Sequence, residues 1–531
     1  MPLLLVLVLL GHSRASHVAL FPSTGCYSHD VMMREVGERL APTANITWIQ
    51  TFIYDFGFGE IQLPSSWNRL SLWGHDDEGM QLMRTAGSLL WEQNVPTDFG
   101  RPWDLRGTVS FFKMLERHQT YCEKMLDDER FLHFMRSQQA DVVVLDHFLQ
   151  ECMGGLAFLL NSSVVQFSNW PIADGYITSL NVPANPSAVP KTGTPYTGLG
   201  MTFGQRVGNF LFHNVIVATR YVQIYVLERM FTRKGFPEVG IVRSEAERAI
   251  YAGRSEFLFD VVRPINNRVK HFGSIKEMRP RDYVTVLPEG VPRGHPSTAS
   301  ESSAIPDFTS VSIQSHKNSS TTIALTSTDC TFNCWKGRTP NRRARLYEGL
   351  SAGVVQKRFL RVSKQFPLLN WPSLVEKPFI VVSFGSVAQA HFMPKDMVER
   401  FIEAFSQSSH TIIWQTNSAF EQLLWTQNVT VPPNVILSDW VPLKEILAHP
   451  NLQYLICHGG INTINELLLF GVPVLGVYLQ GDQGSNLQRL VDLGTAEVTS
   501  MVQISQGGLL PAMRRFERSL DRQVLFSGDC S

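Results

Sequence analysis

In the C-terminal part of the chain, apolar positions gather into short continuous runs separated by amphipathic stretches. The runs Ile380–Ser383, Thr411–Trp414, Asn434–Leu437, Gln453–Cys457 and Pro473–Val477 are rich in β-formers, which predicts strands buried on both faces. Between them Lys395–Phe405, Leu443–Ala448 and Ile461–Phe470 carry the spacing of helices, and Gly471-Val472-Pro473 is a helix stop leading into the next strand. Strands alternating with helices over short connections predict a doubly wound α/β sheet. The N-terminal half begins the same way. His17–Pro22, Ala140–Leu145 and Ser163–Phe167 read as strands, and Asp30–Leu40 and Glu151–Leu160 as helices. Residues 171–200 read as irregular, and Met201–Arg233 as largely helical.

The stretch from Leu287 to Asn341 breaks this pattern. It is dense in Ser, Thr and Pro, with few large apolar side chains to offset the entropy of ordering it. The expected organisation is therefore an N-terminal α/β domain over 17–280, a largely disordered linker or insertion over 281–375, and a C-terminal α/β domain over 376–531. Cys330 and Cys334 fall in the insertion with no histidine partners nearby, which argues against a metal site there.

At 531 residues and 44% hydrophobic, the chain can bury two or three cores. Lys plus Arg and Asp plus Glu both number 47, so no basic excess points to nucleic acid. Seven cysteines at this length are neither a disulfide scaffold nor a zinc array. Met1–Leu10 is almost wholly apolar and is followed by Gly11, Ser13, Ala15 and Ser16, as in a signal peptide over 1–16. A buried first strand is the alternative. Sequons begin at Asn45, Asn161, Asn318 and Asn428, and together these signals favour the lumen of the endoplasmic reticulum or secretion. No membrane anchor is expected beyond this. The best apolar run, Val207–Thr219, is shorter than a span of about 20 residues, contains His213 and Asn214, and is flanked by Arg206 and Arg220.

The most informative run is Trp440–Asn486, WVPLKEILAHPNLQYLICHGGINTINELLLFGVPVLGVYLQGDQGSN. A strand ending at Cys457 meets His458-Gly459-Gly460 and then a helix, and free N–H groups at a helix start make a phosphate site. The glycines let a ligand approach the backbone. His458, Asn462 and Glu466 recur every four residues, so a helix continuous through all three would carry them on one face. Asp482-Gln483 follow the next strand, at the strand ends where parallel sheets bind ligands. The pattern reads as a nucleotide site with acidic groups for hydroxyls, against the plainer reading of a capped Gly-rich turn.

This run resembles the signature of the UDP-glycosyltransferases of glycosyltransferase family 1, particularly the animal UDP-glucuronosyltransferases. Ser383-Phe384-Gly385-Ser386 resembles the family's SFGS loop, and GCYSHDVMM its segment bearing the catalytic histidine; MTFGQRVGN and RPINNRVKHFGSI are similar to further family stretches. The resemblance implies two Rossmann-like domains facing each other across a cleft (GT-B architecture), with the acceptor in the N-terminal half and the UDP-sugar in the C-terminal half. It further implies that Trp440 stacks on uracil and that Ser386 and His458, with Gly459 and Gly460, meet the pyrophosphate. Asn462 would support the phosphates, Glu466 would bind ribose, and Asp482 with Gln483 would hold the sugar. His29 matches the general base and Asp146 its partner carboxylate. The implied reaction inverts the anomeric centre and transfers a sugar, glucuronosyl or glucosyl, to a hydroxyl of a small lipophilic acceptor. UDP-sugar is a co-substrate, and no cofactor or metal is expected. Homo- or hetero-oligomers with related transferases are the implied protein partners.

The chain departs from the family pattern in three places. Leu443 stands where a Gln is common, the segment between Arg281 and Lys377 is long, and the chain past Asp482 is short, without the family's membrane span. A truncated relative that binds UDP-sugar or regulates full-length members is the alternative. A nicotinamide dehydrogenase ranks third, because no G-x-G-x-x-G follows a strand.

Overall fold

A computed structural model describes residues 16–23, 26–51, 61–72, 77–146, 151–170, 172, 174–253, 259–271, 374, 377–447, 449 and 451–527. The expected signal peptide (all but Ser16), the insertion over 281–375 save Leu374, and the sequon at Asn318 lie outside them.

Two sheets organise the chain. The first contains β1 (Ser16–Phe21), β2 (Ala44–Gln50), β3 (Asn68–Ser71), β4 (Val142–Asp146), β5 (Ser163–Ser168), β6 (Ala249–Gly253) and β7 (Val269–His271). The second contains β8 (Phe379–Ser383), β9 (Thr411–Gln415), β10 (Val435–Ser438), β11 (Leu452–Cys457), β12 (Val474–Gly476) and β13 (Ala496–Val498). The spatial orders are β3-β2-β1-β4-β5-β6-β7 and β10-β9-β8-β11-β12-β13, and every pairing is parallel. The fold is thus the expected pair of Rossmann-like domains in GT-B arrangement, and the strand predictions are met to within about two residues. All five residues of β8 are buried, as the continuous apolar run required.

The chain order reverses direction between β1 and β4 in one sheet and between β8 and β11 in the other. At such a reversal the connections leave to opposite sides and open a crevice beyond the strand ends. The two crevices face each other because the halves interlock. Leu90 and Trp91 pack into the core of the C-terminal sheet beside Phe384, and the Trp91 indole donates to the Gln389 carbonyl at 3.0 Å. Val95 pairs with Gln480, the Gly481 N–H donates to the Val95 carbonyl at 2.8 Å, and Asp492 accepts from Thr197 Oγ1 at 2.7 Å and the Gly198 N–H at 2.8 Å.

One expectation is corrected. The helix read over Met201–Arg233 runs from Phe203 to Arg233, 31 residues, opened by a capping box at Thr202 and Gln205, so the apolar run Val207–Thr219 is only part of it. It is long and apolar enough to cross a membrane by length and composition, with only 28% of its most apolar window buried. The cysteines also contain a structural pair. Cys122 on the Arg106–Asp127 helix bonds Cys152 on the Glu151–Leu159 helix, tying two helices behind the first sheet.

Candidate active site

One cavity of about 340 Å³ lies between the two crevices, within the range of small-ligand pockets. Its N-terminal wall starts beyond the β1 end, where Cys26 precedes the helix Tyr27–Leu40 that carries Ser28 and His29. Val18–Phe21 of β1 pairs with Val142–Leu145 of β4, so the end of β4 delivers Asp146 beneath that turn. His29 Nδ1 meets Asp146 Oδ2 at 2.6 Å, with Asp146 only 2% exposed. A carboxylate there is best matched by an Nδ1–H donor, which leaves Nε2 as the ring nitrogen able to take a proton from a ligand. Burial alone would lower the imidazole's pKa. The charge of Asp146 and its hydrogen bond, joined by Asp30 and Asp482, outweigh that and hold it above the ordinary histidine value. Cys26 lines the same wall, but burial, Asp30 and Asp146 raise its thiol well above the usual range, so it is no thiolate nucleophile at neutral pH.

The opposite wall comes from the second sheet. β8 ends in Ser383 and leads to Gly385 and Ser386, while β11 ends in Cys457 and leads to His458. Cys457 and Ser383 are register partners, so both turns stand side by side. Gly459 has φ +88°, and a Cβ there would lie 2.5 Å from Leu487 Cγ, so only glycine fits the turn. The helix Ile461–Phe470 that follows has no side-chain cap, and Gly460, Ile461, Asn462 and Thr463 at its start all line the cavity. Uncapped N–H groups and the positive helix end make this a ready anion site. His458 is buried, which pulls its pKa down to about 4. At neutral pH it is therefore a neutral hydrogen-bond donor rather than a cation.

Because the helix starts at Ile461, His458 lies before it, and the predicted single face of His458, Asn462 and Glu466 does not form. Asn462 lines the cavity and its amide donates to the Ser28 carbonyl at 3.3 Å, bridging the two walls. Glu466, one turn further on, is not among the lining residues, and neither are Gly459 and Trp440. Trp440 is 43% exposed with its ring edge-on to Tyr27 at 5.4 Å, which leaves indole surface for a planar ligand.

Asp482, at the end of the loop after β12, and Gln483, which opens the helix Gln483–Asp492, reach the cavity. Burial pushes the Asp482 carboxyl up to about 6, against a bond accepted from Asn486 Nδ2 at 2.6 Å. The Gln483 carbonyl oxygen turns back to accept from the N–H groups of Leu479 and Gln480 at 2.9 and 3.0 Å, so only its amide nitrogen remains for a ligand. Sequence reasoning missed Asn486. It is wholly buried and spans from the Gly459 carbonyl to Asp482, locking the glycine turn to the acidic loop. Its i, i+4 spacing from Asp482 on the Gln483–Asp492 helix was the available signal.

Residues 368–519 match the family described as UDP-glucoronosyl and UDP-glucosyl transferase. UDP-glucuronosyltransferase 3A1 of Homo sapiens is 33% identical over 113 residues, 21% of this chain and 21% of that protein. Ecdysteroid UDP-glucosyltransferase of Lacanobia oleracea granulosis virus is 27% identical over 165 residues, 30% of this chain and 35% of that protein. The chain thus spans between a fifth and about a third of the length of these relatives. An Os79 variant from O. sativa, solved in complex with UDP, shares the fold at a TM-score of 0.50 and 13% identity over 96% of this chain and 94% of that one. The family match in the C-terminal half and the paired Rossmann-like sheets place this chain in the GT-B superfamily of UDP-glycosyltransferases.

Proposed function

We propose that the protein transfers a sugar, glucuronosyl or glucosyl, from UDP to a hydroxyl of a small lipophilic acceptor, with inversion. The observation that carries this reading is the His29–Asp146 pair opening on the same cavity as Ser386, His458, the uncapped Ile461 helix and Asp482. The acceptor oxygen bonds to the anomeric carbon while that carbon's bond to the β-phosphate oxygen breaks, its electron pair leaving with UDP. The hydroxyl proton passes to His29 Nε2, and Asp146 stabilises the imidazolium. The helix N–H groups and the neutral His458 receive the charge that develops on the diphosphate. Asp482 and the Gln483 amide nitrogen would hold sugar hydroxyls, with Trp440 against uracil and Glu466 at the ribose. Val95, Pro96, Phe111, Met114, Phe212 and Ile216 form the apolar wall that suits a lipophile.

The secretory pathway is the proposed location. A disulfide between Cys122 and Cys152 suits an oxidising compartment, and Asn45, Asn161 and Asn428 are exposed sequon sites.

A UDP-release assay over several UDP-sugars and a phenolic acceptor panel tests the reading. Acceptor-dependent release is expected. Absence of release with UDP bound would favour the non-catalytic alternative. The pH profile is expected to be steep on its acid side, because His29 must be neutral to accept a proton and Asp482 ionised to accept hydroxyls. With Asp482 near 6 and His29 above its usual value, kcat/KM should rise as pH increases through both. A profile flat from pH 5 to 8 would contradict these roles. Gly459→Ala should weaken UDP binding at least tenfold, measured calorimetrically, since the turn must move to clear Leu487.

A further inference from the structure

The part of the cavity assigned to the acceptor is not purely apolar. Asn169 follows β5 directly, 3% exposed, and neither its Nδ2 nor its Oδ1 has a hydrogen-bond partner among the described residues. Gln223 projects from the Phe203–Arg233 helix, also 3% exposed. Its Oε1 accepts from Gln119 Nε2 at 2.6 Å, but its own Nε2 donates to nothing among the described residues. Both residues line the cavity. A buried amide without a partner is destabilising, so two such groups around one cavity are arranged for something that enters it. Three residues before Gln223 on the same helix, the Arg220 guanidinium makes two 2.7 Å bonds to Glu245 and donates to the Gly175 carbonyl at 3.0 Å and Ser179 Oγ at 3.2 Å. That network fixes the helix from which Gln223 projects.

We infer that the acceptor carries a second oxygen function, a hydroxyl or carbonyl besides the hydroxyl that reacts, and that Asn169 and Gln223 receive it. This rests on the reading of the cavity as an acceptor site. The unanswered atoms are two amide donors and one amide acceptor. A hydroxyl can accept from a donor or donate to Asn169 Oδ1, and a carbonyl can accept from either nitrogen. A carbon-only lipophile would leave all three buried and unanswered, so the site discriminates against it.

The test uses rigid phenols of one skeleton, carrying no second oxygen or one at successive positions. Each is measured by kcat/KM and, without UDP-sugar, by equilibrium dialysis. The wild-type protein should prefer its best two-oxygen acceptor over the parent phenol by roughly tenfold or more in both readouts. Asn169→Leu and Gln223→Met, read separately, should each cut that ratio several-fold. Reading them separately lets one decide if the other fails to fold. Equal handling of the parent and every two-oxygen phenol, or a preference that survives in a folded variant, overturns the inference. Dialysis decides it even for a protein that turns nothing over, whereas loss of UDP binding and of all phenol binding would instead refute the underlying transferase reading.

Discussion

His29→Ala should lower kcat/KM by about 10³-fold or more while leaving UDP affinity within about twofold. On the proposed reaction the acceptor hydroxyl has a pKa far above 7 and must lose its proton as it attacks, and a positioned base supplies about 10²–10⁴ of rate. His29 stands on the N-terminal wall of the cavity and the groups proposed to hold the diphosphate stand on the other, so its loss should strike the chemistry and not the nucleotide. Asp146→Asn is the sharper variant. It keeps the size of the side chain at the end of β4 but can present an amide N–H to His29 Nδ1, favouring the tautomer with the proton on the wrong nitrogen. It also removes the charge that does most to raise the imidazole's pKa. Its rate should fall by about 10²–10⁴, with the acid limb of any residual activity shifted toward lower pH. Steady-state UDP release and calorimetry on the same preparations check both. A variant with near-normal turnover would remove His29 from the mechanism.

Glu245→Ala should cost about 3–5 kcal/mol of stability, the usual result of stripping one partner from a buried ion pair. Arg220 and Glu245 are almost wholly inaccessible and joined by two short bonds, and Gln166 Nε2 adds a third to the carboxylate at 3.0 Å. The alanine variant leaves a guanidinium buried without its main counter-charge. Replacing both residues, as Arg220→Met with Glu245→Leu, should recover much of the loss, because the pair's desolvation cost goes with it. Urea unfolding curves measure the difference. A cost under about 1 kcal/mol for the single variant would mean that water reaches the pair.

The C-terminal half was the more legible in sequence. Its strands are buried on both faces and appear as uninterrupted apolar runs, and its turn residues, His458 to Gly460 and Asp482-Gln483, sit where those runs stop. The N-terminal chemistry was not legible in the same way. His29 and Asp146 are 117 positions apart and meet because β1 and β4 are adjacent and parallel, which sequence order does not reveal. Only the family resemblance joined them. The Phe203–Arg233 helix was legible, but its apolar length was underestimated because His213 and Arg220 interrupt the pattern; both are buried, as is Gln223, and Arg220 and Gln223 line the cavity. Asn169 shows the same limit. One polar residue past a strand reads as a turn until its neighbours are known.

The account depends on a diphosphate binding where the amides of Gly460 and Ile461 open on the cavity, and calorimetric titration of the folded protein with UDP tests that most directly. The predicted result is saturable binding at one site per chain, weakened at least tenfold by Gly459→Ala and nearly unchanged by His29→Ala. No measurable heat and no thermal stabilisation by UDP at millimolar concentration would contradict it.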